Sequence, residues 1–204
     1  MTSGKLGSTP RSASQRRTLQ TALGLFAEYG VSATSYQMIA DAVGVTKAAI
    51  YHQFRIKDEI IIAVAEMELA RLEDALEEAE ALGCGTAARE LLLNRVIDHA
   101  VEHRRAANML QFDPVIVRLL SEHEPFQRFI ERLYGMLVGD EPGPETQVRL
   151  AALTCVIGGT VSHPLVAGLD DDTVRNELLD MARRIVDLPE APQRRVRKSR
   201  RATA

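Results

Sequence analysis

The pair with the plainest chemical potential is His99 and His103, four positions apart in the segment DHAVEHRR. On a helix that spacing puts both imidazoles on one face, where they could ligate a metal. Glu102, Asp113 or His123 could complete such a site, but no motif fixes them to the pair, and a solvated polar face explains the same letters. A metal-responsive role for His99 and His103 is therefore carried as an alternative, and no metal or cofactor is assigned. The two cysteines are too few for a disulfide framework. Cys155 stands in an apolar helix and reads as a small core residue. Cys84, between Gly83 and Gly85, reads as an exposed thiol with no basic neighbour to activate it. No Gly-rich phosphate loop, nucleophile elbow or cysteine cluster occurs. These letters favour binding over catalysis, and the chain reads as a non-enzyme.

A second constellation points to binding directly. Lys47, Ala48, Tyr51 and His52 lie together on the outward side of a short helix whose Val45, Ala49, Ile50 and Phe54 can pack inward. The elements that would hold it in place precede it. Leu19, Ala22, Leu23 and Phe26 recur at i, i+3, i+4 and i+7, the stripe of an amphipathic helix, and Gly30 suits its end. Thr34 and Ser35 are suitable N-caps for a second helix with Tyr36, Ile39, Ala40 and Val43 on its apolar side. Gly44 permits a tight turn, and Thr46 caps the third helix. The pattern is a helix-turn-helix over about residues 36–55, a device that lays one helix in the major groove of DNA.

These residues resemble the tetracycline-repressor (TetR) family of bacterial regulators. The likeness is carried by Leu25-Phe26-Ala27-Glu28-Tyr29-Gly30, Ala33-Thr34-Ser35, Ile39-Ala40, Ala42-Val43-Gly44-Val45-Thr46-Lys47, Ile50-Tyr51, Phe54 and Lys57-Asp58-Glu59. It covers roughly the first third of the chain; the rest matches only in length and helical character. Three departures bear on the operator sequence. His52 and Gln53 stand where the family usually shows an aromatic and then a histidine, Ala48 where glycine is frequent, and Tyr36 where a smaller residue is common. The resemblance implies a homodimer whose fourth helix is tilted by a small molecule bound in the C-terminal domain.

Charge is distributed to match. Residues 1–57 carry seven basic and two acidic residues, 58–188 carry 12 and 25, and 189–204 carry six and one. The overall charge of −3 thus conceals a basic head, an acidic body and a basic tail. A basic head on an acidic body orients a protein on a polyanion. The tail, Arg194 to Arg201, follows Pro189 and Pro192 and has no apolar face. It reads as a solvated extension or as a flexible arm adding phosphate contacts.

Beyond the helix-turn-helix the chain is helical with punctuation. Asp58 can cap a fourth helix running to about Leu82; Thr86 starts another that reaches the region of Arg104. Asp113-Pro114 and Glu124-Pro125 look like helix starts. Residues 140–144 form a loop, a long helix follows from about Glu145 to Ala167, and the last runs from Asp170 to Leu188. The apolar stretch 150–169 is long enough to ask about a membrane, but its glycines, hydroxyls, His163 and Pro164 point to a helix buried on several sides. No secretory signal is visible.

The expected fold is all-α: a helix-turn-helix DNA-binding domain (13–73), a helical ligand-binding and dimerisation domain (74–188) and a basic tail (189–204). The expected function is a cytoplasmic, homodimeric regulator, a repressor released from a palindromic operator by a small molecule, with no membrane partner. A ligand-independent architectural DNA-binding protein is the other reading. Candidate DNA contacts are Thr34, Ser35, Tyr36, Gln37, Thr46, Lys47, Ala48, Tyr51, His52 and Lys57, with Arg11, Arg16 and Arg17 extending along the backbone. Candidate pocket residues are Met109, Phe112, Phe126, Phe129 and Tyr134, and the scarcity of aromatics favours an aliphatic ligand. Candidate dimer contacts are Gly158, Gly159, Val174, Leu178, Met181 and Ile185.

Overall fold

The computed structural model describes residues 5–7, 10–139 and 143–189; the basic segment 190–204 and part of the 140–144 loop lie outside them. The described residues form ten α-helices and no strand. Helix α1 (Ala13–Tyr29) opens on a capping box, with the Ser12 hydroxyl accepting from the Gln15 backbone and the Gln15 side chain accepting from the Ser12 backbone. Helix α2 (Tyr36–Val43) is capped by Ser35, and α3 (Lys47–Gln53) by Thr46. Between them Gly44 adopts φ 80°, ψ 39°, a left-handed conformation that a side chain would oppose. The two helices are thereby brought into the tight turn that the spacing predicts.

Helix α4 (Lys57–Leu82), about 39 Å long at 1.5 Å per residue, connects two hydrophobic cores. Its Ile60, Ile61 and Val64 join Leu19, Phe26, Ile39, Ile50 and Phe54 in the first core. Its Leu69, Leu72, Leu76 and Ala79 belong to the second core, with α5 (Thr86–Glu102), α8 (Glu124–Val138), α9 (Pro144–Val161) and α10 (Asp171–Ile185). Helices α6 (Arg104–Phe112) and α7 (Pro114–Ser121) close the first core from the far side through Met109, Ile116, Leu119 and Leu120. The amino-terminal helices therefore rest on side chains from the carboxy-terminal half of the chain.

Several local expectations are corrected. Asp58 does not cap α4; Ile56 occupies the cap position without a side-chain bond, and Glu59 instead accepts from the Arg55 backbone. The helix that starts at Thr86 ends beside Arg104 as expected, at His103 (φ −119°, ψ 43°), but a further helix, α6, begins there at once. Helix α9 stops at Val161 rather than Ala167, because Pro164 holds His163 extended and can only start a short 3-10 turn. Val45 and Cys155, both expected in the core, are exposed. Among the described residues no helix is long and apolar enough to cross a membrane.

Candidate DNA interface and ligand cavity

Helix α3 buries Ile50 and leaves Lys47, Ala48, Tyr51 and His52 exposed on one side. Tyr51 is 56% exposed, and its ring lies 6.2 Å from that of Tyr36. The Tyr36 hydroxyl donates to the Phe54 carbonyl at 3.2 Å, which ties the start of α2 to the end of α3. That bond already uses the Tyr36 proton, so the ring braces the α2–α3 pair. Thr18 in turn donates to Gln53, whose amide donates to Ser14, fastening α3 against α1.

The expected phosphate contacts divide in two. Ser35, Gln37, Thr46 and Lys47 are exposed, with Ser35 and Thr46 also capping their helices and Gln37 donating to Asp41. Thr34 is not available: it is 1% exposed, and its hydroxyl lies 2.9 Å from the Gly30 carbonyl and 3.3 Å from that of Leu25, filling the turn between α1 and α2. Lys57 is half-buried and donates to the Ser32 carbonyl. Its burial lowers its pKa, opposed by the charges of Asp113 and Asp58. Two arginines expected to reach along DNA are engaged within the chain. Arg11 pairs with Glu66 of α4, and Arg17 donates to the Val43 carbonyl at the end of α2.

In the second half of the chain a cavity of about 340 Å³ opens among α4, α5, α6, α7, α8 and α9. Phe126, Phe129 and Tyr134 line it, together with Leu69, Leu133 and Ile157, and none of its seventeen lining residues is formally charged. Met109 and Phe112 do not reach it. They face a shallow cleft with Phe26 and Arg105, because α6 turns that side toward α1, and Met109 is absorbed into the first core. Leu110 and Gln111 are the α6 residues that do line the cavity, and neither is among the sequence candidates. A lone amide beside Leu110 carries no signal until the rotation of α6 is known.

The dimer candidates also separate. Val174 and Leu178 are 3% and 0% exposed, consumed by the core of their own subunit. Gly158 is buried against the Gln111 side chain, whereas a side chain on Gly159 would meet nothing within 4 Å. Met181 is 38% exposed and Ile185 half-buried. On α9 an exposed apolar strip, Val148, Ala151, Ala152 and Cys155, was not foreseen.

The His99 and His103 rings do lie together, with centroids 4.7 Å apart and planes tilted by 41°. His99 is 8% exposed, and burial, aided by the charges of His103 and Arg71, pushes its pKa down to about 4. Glu68 stands 4.0 Å from His103. Of the proposed further ligands, Glu102 lies 4.0 Å from His103, whereas His123 bonds Glu66 at 3.1 Å and Asp113 caps α7. Among the described residues no group of three or more His, Cys, Asp or Glu is arranged to hold a metal.

Known proteins share both the motif and the fold. Residues 19–64 match the model for bacterial regulatory proteins of the tetR family, and this stretch contains α2, α3 and their flanking supports. Over these residues the chain is similar to the TetR family. Over 90 residues, 43% of the chain, it is 34% identical to the HTH-type transcriptional regulator AcrR of Shigella flexneri, a match spanning only 42% of AcrR. It is 25% identical over 181 residues to the HTH-type transcriptional repressor AcnR of Corynebacterium diphtheriae, covering 85% of this chain and 92% of AcnR. The fold of AibR, solved in complex with isovaleryl coenzyme A and operator DNA, superposes with a TM-score of 0.63 at 17% identity, over 82% of this chain and 97% of AibR. The matched residues 19–64 thus carry a TetR-type helix-turn-helix, on a chain whose described residues are all-α.

Proposed function

We propose that this protein is a homodimeric repressor that leaves a palindromic operator when a small molecule occupies the cavity between α4 and α9. The observation that carries the reading is the sharing of α4: its first turns belong to the core that holds α3, and Leu69 and Leu72, farther along, line the cavity. A ligand that moves these leucines moves the support of the recognition helix. A differential ligand affinity of about 1–3 kcal/mol between two α4 positions changes operator affinity roughly 5–150-fold. The likeness to AibR, solved with both a coenzyme A thioester and operator DNA, supports the same division of labour.

In this reading residues 13–73 bind DNA and 74–188 bind ligand and partner. Lys47 and His52 reach base edges or the adjoining phosphates. Tyr51, Ser35, Gln37, Thr46 and Lys57 position the backbone. Two α3 helices enter successive major grooves about 34–36 Å apart. The exposed strip on α9, with Gly159 and Met181, faces the second subunit. The chain acts by binding, without catalysis, in the cytoplasm where its operator lies. The test is selection of bound duplexes from a random pool by the full-length protein. A shared inverted repeat is the expected result; recovery of unrelated sequences, or of direct repeats, overturns the palindromic dimer.

A further inference from the structure

The polar atoms of the cavity wall are few, and their hydrogen-bond states can be assigned. Thr154 donates its proton to the Leu150 carbonyl at 2.7 Å. Its Oγ1 lies 3.3 Å from the Tyr134 hydroxyl, and with the threonine proton already committed, Tyr134 must be the donor in that contact. The Tyr134 oxygen keeps lone pairs and has no proton left to offer. Ser121 donates its own proton to the Arg118 carbonyl at 2.7 Å, and Gln111 completes the set. Its carboxamide leans on Gly158, where an added Cβ would stand 1.6 Å from Oε1, so glycine at 158 is what leaves room for it. That Oε1 is fully buried and has no hydrogen-bond partner among the described residues. The remaining lining is almost entirely aliphatic and aromatic, without a charged side chain.

A buried carbonyl oxygen without a donor costs free energy that a ligand can recover, and a cavity without counter-charge penalises an ion. We propose that the cavity selects an uncharged, mainly aliphatic molecule carrying a hydrogen-bond donor such as a hydroxyl, and that Gln111 is the residue that recognises this donor. The ligand's apolar body lies along Leu69, Phe129 and Leu133, and its donor meets Gln111 Oε1 after rotation of the terminal amide torsion, with the Tyr134 oxygen as second acceptor. The inference rests on the reading of this cavity as the effector site and adds the chemical class of the effector.

The test uses the full-length protein and the neutral fluorophore N-phenyl-1-naphthylamine, displaced in turn by 1-decanol, decyl methyl ether, decanoate and decanoyl-coenzyme A. In wild type, decanol is expected to compete about tenfold better than the ether, which lacks the donor, as one net hydrogen bond of about 1.4 kcal/mol requires. Decanoate and the thioester are expected to be weaker than the alcohol. Gln111→Leu should bind the fluorophore and bring alcohol and ether to equal strength; Gln111→Met, unbranched and similar in length, serves the same purpose should the leucine variant misfold. Decanoate or the thioester equalling decanol, no preference for the alcohol over the ether, or a preference unchanged by loss of Gln111, overturns the ligand class while leaving the effector site standing. Failure of wild type to bind the fluorophore and decanol at all overturns the effector site itself, and the inference with it.

Discussion

The guanidinium of Arg11, just ahead of α1, meets the carboxylate of Glu66 on α4 at 2.5 Å, with the two side chains only 15% and 12% exposed. The other oxygen of Glu66 lies 3.1 Å from Nε2 of His123, the residue at the start of α8. One carboxylate thus joins the entry to the DNA-binding helices to a helix that lines the cavity. It sits on α4 between the stretches that serve the two cores, where a change of tilt would be felt at both ends.

Removing that junction should loosen the two halves together. Glu66→Gln is expected to destabilise the fold by about 1–3 kcal/mol, since it replaces charge-assisted bonds at a largely buried site with neutral ones. Chemical denaturation of both proteins measures this directly. A midpoint and slope identical to wild type would show that Arg11 and Glu66 gain no more from each other than from water.

Contacts on α3 should differ in kind. Lys47→Ala is expected to weaken binding to all duplexes and to reduce the salt dependence by about one counterion, because an exposed lysine acts on phosphate. His52→Ala is expected to lose about 1–3 kcal/mol of discrimination at one symmetric pair of operator positions. Titrations on the selected operator and on single-base variants, at several salt concentrations, separate the two effects. Uniform losses from His52→Ala would assign it to the backbone.

The buried imidazole of His99 makes stability depend on acidity. Its pKa is lowered from 6.5 to about 4 in the folded chain, so below pH 6.5 the unfolded state binds more protons. Stability is then lost as pH falls from about 6.5 toward 4, by an amount on the order of 2 kcal/mol at pH 5. Glu68 nearby has its pKa raised, chiefly by burial, which acts in the opposite sense. The comparison should therefore be made against His99→Leu, whose denaturation midpoint is expected to fall less between pH 7.5 and pH 5. Parallel pH dependence in the two proteins would mean that His99 is solvated in the fold.

The face of α9 offers a test of association that leaves the subunit intact. Ala152 and Cys155 are exposed in the single chain, so Cys155→Arg should cost little in subunit stability, within roughly 0.5 kcal/mol. At a dimer contact the same change buries an unpaired charge, and sedimentation at micromolar concentration is expected to show a shift from dimer toward monomer, with operator affinity falling in step. A variant that sediments as wild type does would place the interface on another face.

The sequence by itself determined most of what depends on neighbours within one or two helical turns, the cap of α4 and the end of α9 excepted. Ser35, Thr46 and Asp170 cap their helices through backbone groups three residues ahead, Gly44 makes its turn, and Pro114 starts α7, all from local chemistry. The apolar stripes of α1 and α2 named their own buried residues for the same reason. Only the tertiary structure decided which of two cores a helix face would meet. Met109 went to the helix-turn-helix while Gln111, two residues on, went to the cavity, and Val174 and Leu178 were consumed inside the subunit, leaving the strip around Cys155 exposed. Periodicity gives the angle between side chains on one helix, but the rotation of that helix against its neighbours is set by how all the facing side chains pack at once.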